Sequence, residues 1–390
     1  MFIFKKLIKK LIRTVIAALV CLAVIACLFK SKAEAVSFLL LNTPDVSAKS
    51  AVLIDASSGK ILCEKNAHDR MAMASTTKIM TALVAAENAE LDRTVSVHPS
   101  AVGVEGSSIY LYAGEKMTLR DLLCAMLLES ANDAAAAIAI EVGGSVERFC
   151  DMMNSKATEL GLCDTHFTNP HGLYDEAHYT TAYELAMITR AALANEDIRE
   201  IVKTKKMTVE PIEGNVRVLY NHNKMLSLYK GAIGVKTGFT KKSGRCLVSA
   251  AERDGLTLIA VTLNAPDDWN DHTKLLDAGF DAFEAVPLTK AGKVCHSLGV
   301  MGGDRESVPL VYADTLSLSL RKGASQKITC TVETYNRYEF APVTAGKIMG
   351  RAVFYLDGEK IAESNLVSAA DVSHAEAQDG VFDKIKNIFS

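Results

Sequence analysis

Residues 73–89 read Met73-Ala-Ser-Thr-Thr-Lys-Ile-Met-Thr-Ala-Leu-Val-Ala-Ala-Glu-Asn-Ala89, and this stretch decides the fold. Ile79, Met80, Leu83 and Val84 recur at helical spacing, so a helix is predicted here, with Ser75 or a neighbour as its cap. Ser75 and Lys78 stand three apart, a separation that puts both side chains on one helix face. A lysine amine within reach of a serine hydroxyl can take its proton if the amine is neutral. Taken alone the spacing has little weight, because Ser57/Lys60, Ser227/Lys230 and Ser319/Lys322 repeat it.

Two further elements single out the first copy. Ser130-Ala131-Asn132 falls between two apolar helical runs. Thr118 is predicted to cap the first, TLRDLLCAMLLES, and Gly143-Gly144 to end the second. Lys236-Thr237-Gly238 opens a strand, the first of three runs (IGVKTGFT, GRCLVSAAE and LTLIAVTLN), the last two joined by an Asp254-Gly255 turn. A hairpin is expected over 51–65 around Ser57-Ser58-Gly59. Thr181 and Glu184 form a candidate capping box for a helix reaching about Ala194.

The chemistry needs this set. A free lysine keeps its proton to about pH 10.4, and a second cation nearby, Lys236, would help to lower that value for Lys78. Ser130 can relay a proton to a leaving amine, and Asn132 can hold a substrate amide. Lys236 and Thr237 can bind a terminal carboxylate, and Gly238 admits a substrate backbone close to the strand. Backbone N–H groups of Ser75 and Phe239 are the expected oxyanion donors.

These three motifs, in this order, are the signature of penicillin-recognising serine enzymes. The blocks DASSGKILCEKNAHDRMAMASTTKIMTAL, GEKMTLRDLLCAMLLESANDAA, TNPHGLYDEAHYTTAYELA and GVKTGFTKKSGRCLVSAAERDG extend the likeness over 48–285. The chain resembles the low-molecular-mass penicillin-binding D-alanyl-D-alanine carboxypeptidases of bacteria. The resemblance implies an α/β (α+β) transpeptidase-like domain, an antiparallel sheet covered by helices, followed by a small all-β domain. It implies removal of the terminal D-alanine from peptidoglycan stem peptides and acylation by β-lactam antibiotics. Ser75 would then be the nucleophile, Lys78 the base and Ser130 the proton relay, with Asn132, Lys236, Thr237, Gly238 and Phe239 binding substrate. Arg245 stands where an aromatic or aliphatic residue is common, away from the expected chemistry. A serine β-lactamase shares the motifs, but no Glu-x-x-Leu-Asn follows Ser130-Ala131-Asn132; a non-catalytic wall-binding module is the remaining alternative.

The ends of the chain read differently. Residues 1–35 carry seven Lys/Arg, an apolar run from Thr14 to Phe29 and Ala33-Glu34-Ala35, the pattern of a cleaved export signal. The run is shorter than the roughly 20 residues that span a bilayer. Val24-Ile25-Ala26-Cys27 offers lipidation of Cys27 as an alternative. Without this leader the charge falls from −3 to −9, with 36 Lys/Arg against 45 Asp/Glu, which leaves no basic face for nucleic acid. The predicted organisation is a signal peptide at 1–35, the serine-enzyme domain at 36–285, a β-rich domain at 286–372 and a terminal amphipathic helix at 373–390. In that helix Val381, Phe382, Ile385, Ile388 and Phe389 share a face that fits a membrane surface or its own domain. The protein is thus expected outside the cytoplasm, on the outer face of the membrane. Seven of the nine cysteines lie beyond the leader, odd in number and without C-x-x-C, which argues for packing roles rather than disulfides or zinc. No H-E-x-x-H or Walker loop occurs, so neither cofactor nor metal is expected. His171 and His178 read as loop hydrogen-bonders and Trp269 as a packing residue.

Overall fold

The structure, a computed structural model, describes residues 41–375. The leader, Cys27 and the apolar face at 381–389 lie outside the described residues. Contacts divide the chain into two units, one running to Arg253 and including Thr257–Asp281, the other comprising Asp254–Leu256 and the chain from Ala282.

The strands of the first unit are β1 (Ser50–Asp55), β2 (Ile61–Lys65), β3 (Thr94–Ser96), β4 (Lys116–Thr118), β5 (Lys206–Val209), β6 (Arg217–Tyr220), β7 (Ala232–Thr240), β8 (Gly244–Arg253) and β9 (Leu256–Leu263). Five of them form a sheet in the order β2-β1-β9-β8-β7, with β1 antiparallel to β2 and β9, and β7 antiparallel to β8. Every residue of β1 is buried, so both faces of the sheet are covered, as its unbroken apolar run requires. The helices are α1 (Lys78–Asn88), α2 (Leu119–Leu128), α3 (Asn132–Gly143), α4 (Val146–Glu159), α5 (Ala182–Leu193), α6 (Glu196–Lys203), α7 (Met225–Leu228) and α8 (Asp268–Ala282). Helix α1 is buried from Lys78 to Ala85 and lies in the main apolar core with Leu122, Met126, Ile138, Phe149 and Leu185. On α8, Gly279 lets the helix lie against Leu53 and Leu258, where a side chain would collide.

The local signals act largely as read. Thr118 Oγ1 accepts from Asp121 N at 3.0 Å, and Gly144, left-handed at φ +80°, ends α3. The Asp254-Gly255 turn has φ of +50° and +80°, the signs a tight hairpin turn demands. Two expectations are corrected. Ser75 caps nothing: Ala74–Thr77 is a single 3-10 turn, and α1 begins at Lys78 without a side-chain cap. Thr181 does accept from Glu184 N at 3.1 Å, but the Glu184 carboxylate does not return the bond. It accepts instead from Cys163 N, Asp164 N and Thr165 Oγ1, fixing a loop rather than closing a capping box.

The second unit is a β structure with its own core. Its strands are β10 (Phe283–Pro287), β11 (Val294–Met301), β12 (Ser307–Tyr312), β13 (Ser317–Arg321), β14 (Ile328–Thr334), β15 (Tyr338–Phe340), β16 (Ile348–Leu356) and β17 (Glu359–Ser368). Six of them form the sheet β14-β16-β17-β12-β11-β15, in which only β15 runs parallel to its neighbour, and β10 pairs with β13. Leu298, Leu310, Met349, Phe354 and Leu366 are buried between them. The cysteines among the described residues are free; Cys63, Cys124, Cys150 and Cys246 are buried as apolar packing, whereas Cys163 and Cys330 are exposed.

Candidate active site

The 3-10 turn at Ala74–Thr77 presents Ser75 beside β7. Its geometry is forced from below: Ala74 sits at φ +49°, where a non-glycine residue is strained. Thr77 Oγ1 donates to Ala74 O at 2.8 Å, and Thr76 Oγ1 donates to Met73 O at 2.6 Å. Having donated its proton, Thr77 Oγ1 accepts from His178 Nε2 at 2.8 Å, while His178 Nδ1 accepts from Thr168 N at 3.1 Å. That pattern fixes a neutral Nε2–H imidazole, consistent with burial lowering its pKa to about 4. Gly172 in the same loop touches Ala74 O so closely that a Cβ would stand 1.9 Å away. From the other side Gly238 lies against the turn, and a Cβ there would come within 3.0 Å of Ser75 N.

Lys78 is fully buried. Its Nζ lies 3.1 Å from Ser75 Oγ, 2.7 Å from Asn132 Oδ1 and 2.6 Å from the His171 carbonyl oxygen. Burial drives its pKa well below the ordinary lysine range; the Lys236 charge adds to the fall and Asp133 opposes it. Lys236 is also buried, at 1% exposure, and burial lowers its pKa to about 7. Its Nζ donates to Thr237 O at 3.0 Å.

Ser130 sits between α2 and α3 at φ +63°, a strained conformation that turns it into the cleft. Asn132 opens α3, and its Nδ2 donates to Glu105 O at 2.5 Å. The 105–111 segment is tied down further by Asp133, which accepts from Ser108 Oγ, Ile109 N and Leu111 N. Below it Glu115, with no exposed surface, pairs with Arg217 Nη1 and, at 3.0 Å, Nη2.

Ser75, Ser130, Thr237, Gly238 and Phe239 line one open cleft of about 440 Å³. The three motifs, the first and last of them 161 residues apart in the chain, therefore converge, with Lys78 and Lys236 beneath the floor. Lys236 is buried beneath the cleft, where its ammonium donates to Thr237 O, and Asn132 is engaged by Lys78 and Glu105. One reading changes. Arg245 and Trp269, read as remote and as packing, both line the cleft. The His171 carbonyl and Gly172 were missed as well; Pro170-His171-Gly172 was the visible signal, but a backbone carbonyl leaves no residue signature.

The pattern of the D-alanyl-D-alanine carboxypeptidase family matches residues 39–267, and that of the penicillin-binding protein 5 C-terminal domain matches 283–374. The chain is 34% identical over 336 residues to the D-alanyl-D-alanine carboxypeptidase DacF of Bacillus subtilis, covering 84% of this chain and 86% of that protein. It superimposes on penicillin-binding protein 5 from Haemophilus influenzae with a TM-score of 0.68 at 30% identity, covering 86% of this chain and all of that one. The Streptomyces K15 DD-transpeptidase matches with a TM-score of 0.59 at 36% identity, covering 62% of this chain and all of its own.

Proposed function

The chain belongs to the D-alanyl-D-alanine carboxypeptidase family, and from that premise we propose how it acts: Ser75 attacks the carbonyl between the last two D-alanines of a wall peptide, Lys78 taking its proton. The protein is a serine D-alanyl-D-alanine carboxypeptidase and a penicillin-binding enzyme. One observation carries the mechanism. A neutral amine has two N–H groups and one lone pair, and two of the three oxygens around Lys78 Nζ, on Asn132 and His171, are carbonyls that cannot donate. They consume both N–H groups. The lone pair is left facing Ser75 Oγ, whose proton it can accept.

Attack then forms a tetrahedral centre whose oxygen accepts from the Ser75 and Phe239 N–H groups. Ser130 passes a proton to the departing D-alanine amine as the C–N bond breaks, leaving an ester on Ser75. Water attacks that ester, the shortened peptide leaves, and Ser75 regains its proton. Thr237 and Gly238 hold the substrate main chain along β7, and Asn132 faces its amide after exchanging one of its present partners. The Lys236 ammonium lends its field from beneath the floor. Penicillin would acylate the same hydroxyl.

Ser75→Ala is expected to lower D-alanine release from a peptide ending in D-Ala-D-Ala by about a thousandfold or more. Release by both proteins at comparable rates would move the nucleophile elsewhere.

We read 36–285 as the catalytic domain and 286–372 as the accessory β domain. Residues 1–35 act as the export leader, placing the enzyme outside the cytoplasm, and 376–390 as an interfacial membrane helix. The leader's basic, apolar and Ala-Glu-Ala segments and the apolar stripe at 381–389 support this. The expected helical start at 373 is corrected, because Ser373 O accepts from Asp304 N and Ala375 N donates to Gly302 O, tying 373–375 to the β domain as an extended segment. Among the described residues no helix is long and apolar enough to cross a membrane. Mature protein starting at Val36 and sedimenting with membranes until 376–390 are deleted is the expected behaviour; a retained leader, or sedimentation unaffected by the deletion, contradicts it.

A further inference from the structure

The six-stranded sheet of the second unit keeps large apolar side chains in water along one edge. Strand β15 forms that edge and pairs with β11 in parallel register, so that Met301 stands beside Phe340 and Gly299 beside Tyr338. Val300 between them is buried, and the alternation of a strand therefore turns Met301, Tyr338 and Phe340 outwards. All three are exposed, Phe340 by 62%, and the Tyr338 and Phe340 rings meet edge to face with centroids 5.6 Å apart. Across β11 the same face continues through the pairs Gly299 with Ser307 and Ser297 with Pro309, all exposed and none charged. Apolar side chains this large, gathered on an open face, mark a contact surface. The described part of the chain also ends here. Ala341 N donates to Met301 O at 3.0 Å, and the two residues after Met301 hold the last described ones: Gly303 bridges His374, and Ala375 N donates to Gly302 O at 2.9 Å.

We propose that Met301, Tyr338 and Phe340 form a second membrane contact, entering the interfacial layer of a phospholipid bilayer beside the terminal segment. This rests on the reading of 376–390 as a membrane-surface helix. Five residues, Glu376 to Gly380, separate Ala375 from Val381, the first apolar residue of that stripe. A fully extended chain of that length spans about 20 Å, so a stripe seated in lipid keeps the edge at Met301 and Phe340 close to the same surface. Aromatic side chains brought there are stabilised by entering it: the Phe340 ring and the Met301 thioether reach the acyl boundary, and the Tyr338 hydroxyl stays among the headgroups. Charge does not drive the contact. Asp304 and Glu306 offset Arg305 and Arg337 in the flanking turns, and Lys347 is paired with Glu339 at 3.1 Å. A helix as short as the terminal one binds weakly alone, whereas a second contact on the same short tether multiplies the partition.

The test uses the chain from Val36 to Ser390 and vesicles of equimolar phosphatidylcholine and phosphatidylglycerol. Phe340→Ser is expected to lower the partition coefficient by about tenfold, and Phe340→Ser with Tyr338→Ser by about thirtyfold. The ratio of wild-type to variant partition should be the same at low and high salt, because the contact is apolar. Phe340→Trp keeps a ring at the site and reads the contact directly, and it stands in if the serine variants fail to fold. Brominated phosphatidylcholine should quench its emission beyond the quenching of wild type, whose single tryptophan is Trp269. Partition unchanged in the serine variants, or a ratio that vanishes at high salt, overturns the proposal. So does a Trp variant that sediments with the vesicles without added quenching, since residues 381–389 or another protein would then cover the patch. Wild type that does not sediment with the vesicles overturns the membrane reading of 376–390 and this proposal with it.

Discussion

Replacing Lys236 by Met keeps the aliphatic stem in its buried slot and removes the ammonium. In the fold Lys236 gives up its proton near pH 7, whereas an unfolded chain holds it to 10.5. The sign follows from proton counting. Between those values the unfolded state binds more protons, so wild-type stability rises with pH across the window and is at its lowest, and flat, below about 7. The gap corresponds to as much as ~5 kcal/mol of native-state penalty at neutral pH, at 1.36 kcal/mol per pH step. Against it the variant loses the bond from Nζ to Thr237 O, about 1 kcal/mol. Lys236→Met is therefore expected to be about 4 kcal/mol more stable than wild type at pH 7 and slightly less stable near pH 10.5. Urea unfolding followed through Trp269, the single tryptophan and part of the catalytic unit, measures the difference at pH 7 and 9.5. A stability difference that stays constant between those pH values, or a less stable variant at pH 7, refutes the reasoning. The same variant reads the coupling of the two amines. Acylation by penicillin should rise with pH through the lowered pKa of Lys78, and without the Lys236 charge that rise should move to higher pH.

Gly172→Ala forces a Cβ to within 1.9 Å of Ala74 O at φ +89°, so one backbone must yield. A loss of about 2–5 kcal/mol in urea and acylation slower by at least about tenfold are expected, because the His171 carbonyl leaves Lys78; normal acylation would show that the loop does not orient the amine. Glu115→Ala leaves the Arg217 guanidinium, 12% exposed, with the Ile109, Tyr110 and Asn215 carbonyls but no carboxylate and should cost about 3–5 kcal/mol, whereas Glu115→Leu with Arg217→Met, which also gives up those three bonds, should recover part of it. Equal losses in the single and double variants would mean that packing, not charge, holds the 105–115 segment to the β5–β6 hairpin.

What could be read in advance was what the chain encodes over short distances or in repeated period. Thr118 caps because its hydroxyl lies one turn from the N–H it serves, and Asp254-Gly255 turns because both residues tolerate positive φ. The convergence of Ser75, Ser130 and Lys236 was legible only because three motifs occur in a fixed order. The errors share one cause: a side chain recruited by something remote. Glu184 is drawn from its cap by the 163–165 loop, and Ala74–Ser75 is bent away from a helix by Gly172 and Thr77. Arg245 looked like a misplaced sheet residue because Asp268, the carboxylate that holds it, is 23 positions later in the chain.

The buried position of the two lysines also bears on what reaches them. Lys78 and Lys236 have essentially no contact with solvent, and a peptide seated in the cleft covers Ser75, their nearest outlet. The proton lifted from the nucleophile is then handed on internally, through Ser130 to the departing amine, and leaves with that product. Turnover should accordingly be indifferent to buffer concentration at fixed pH.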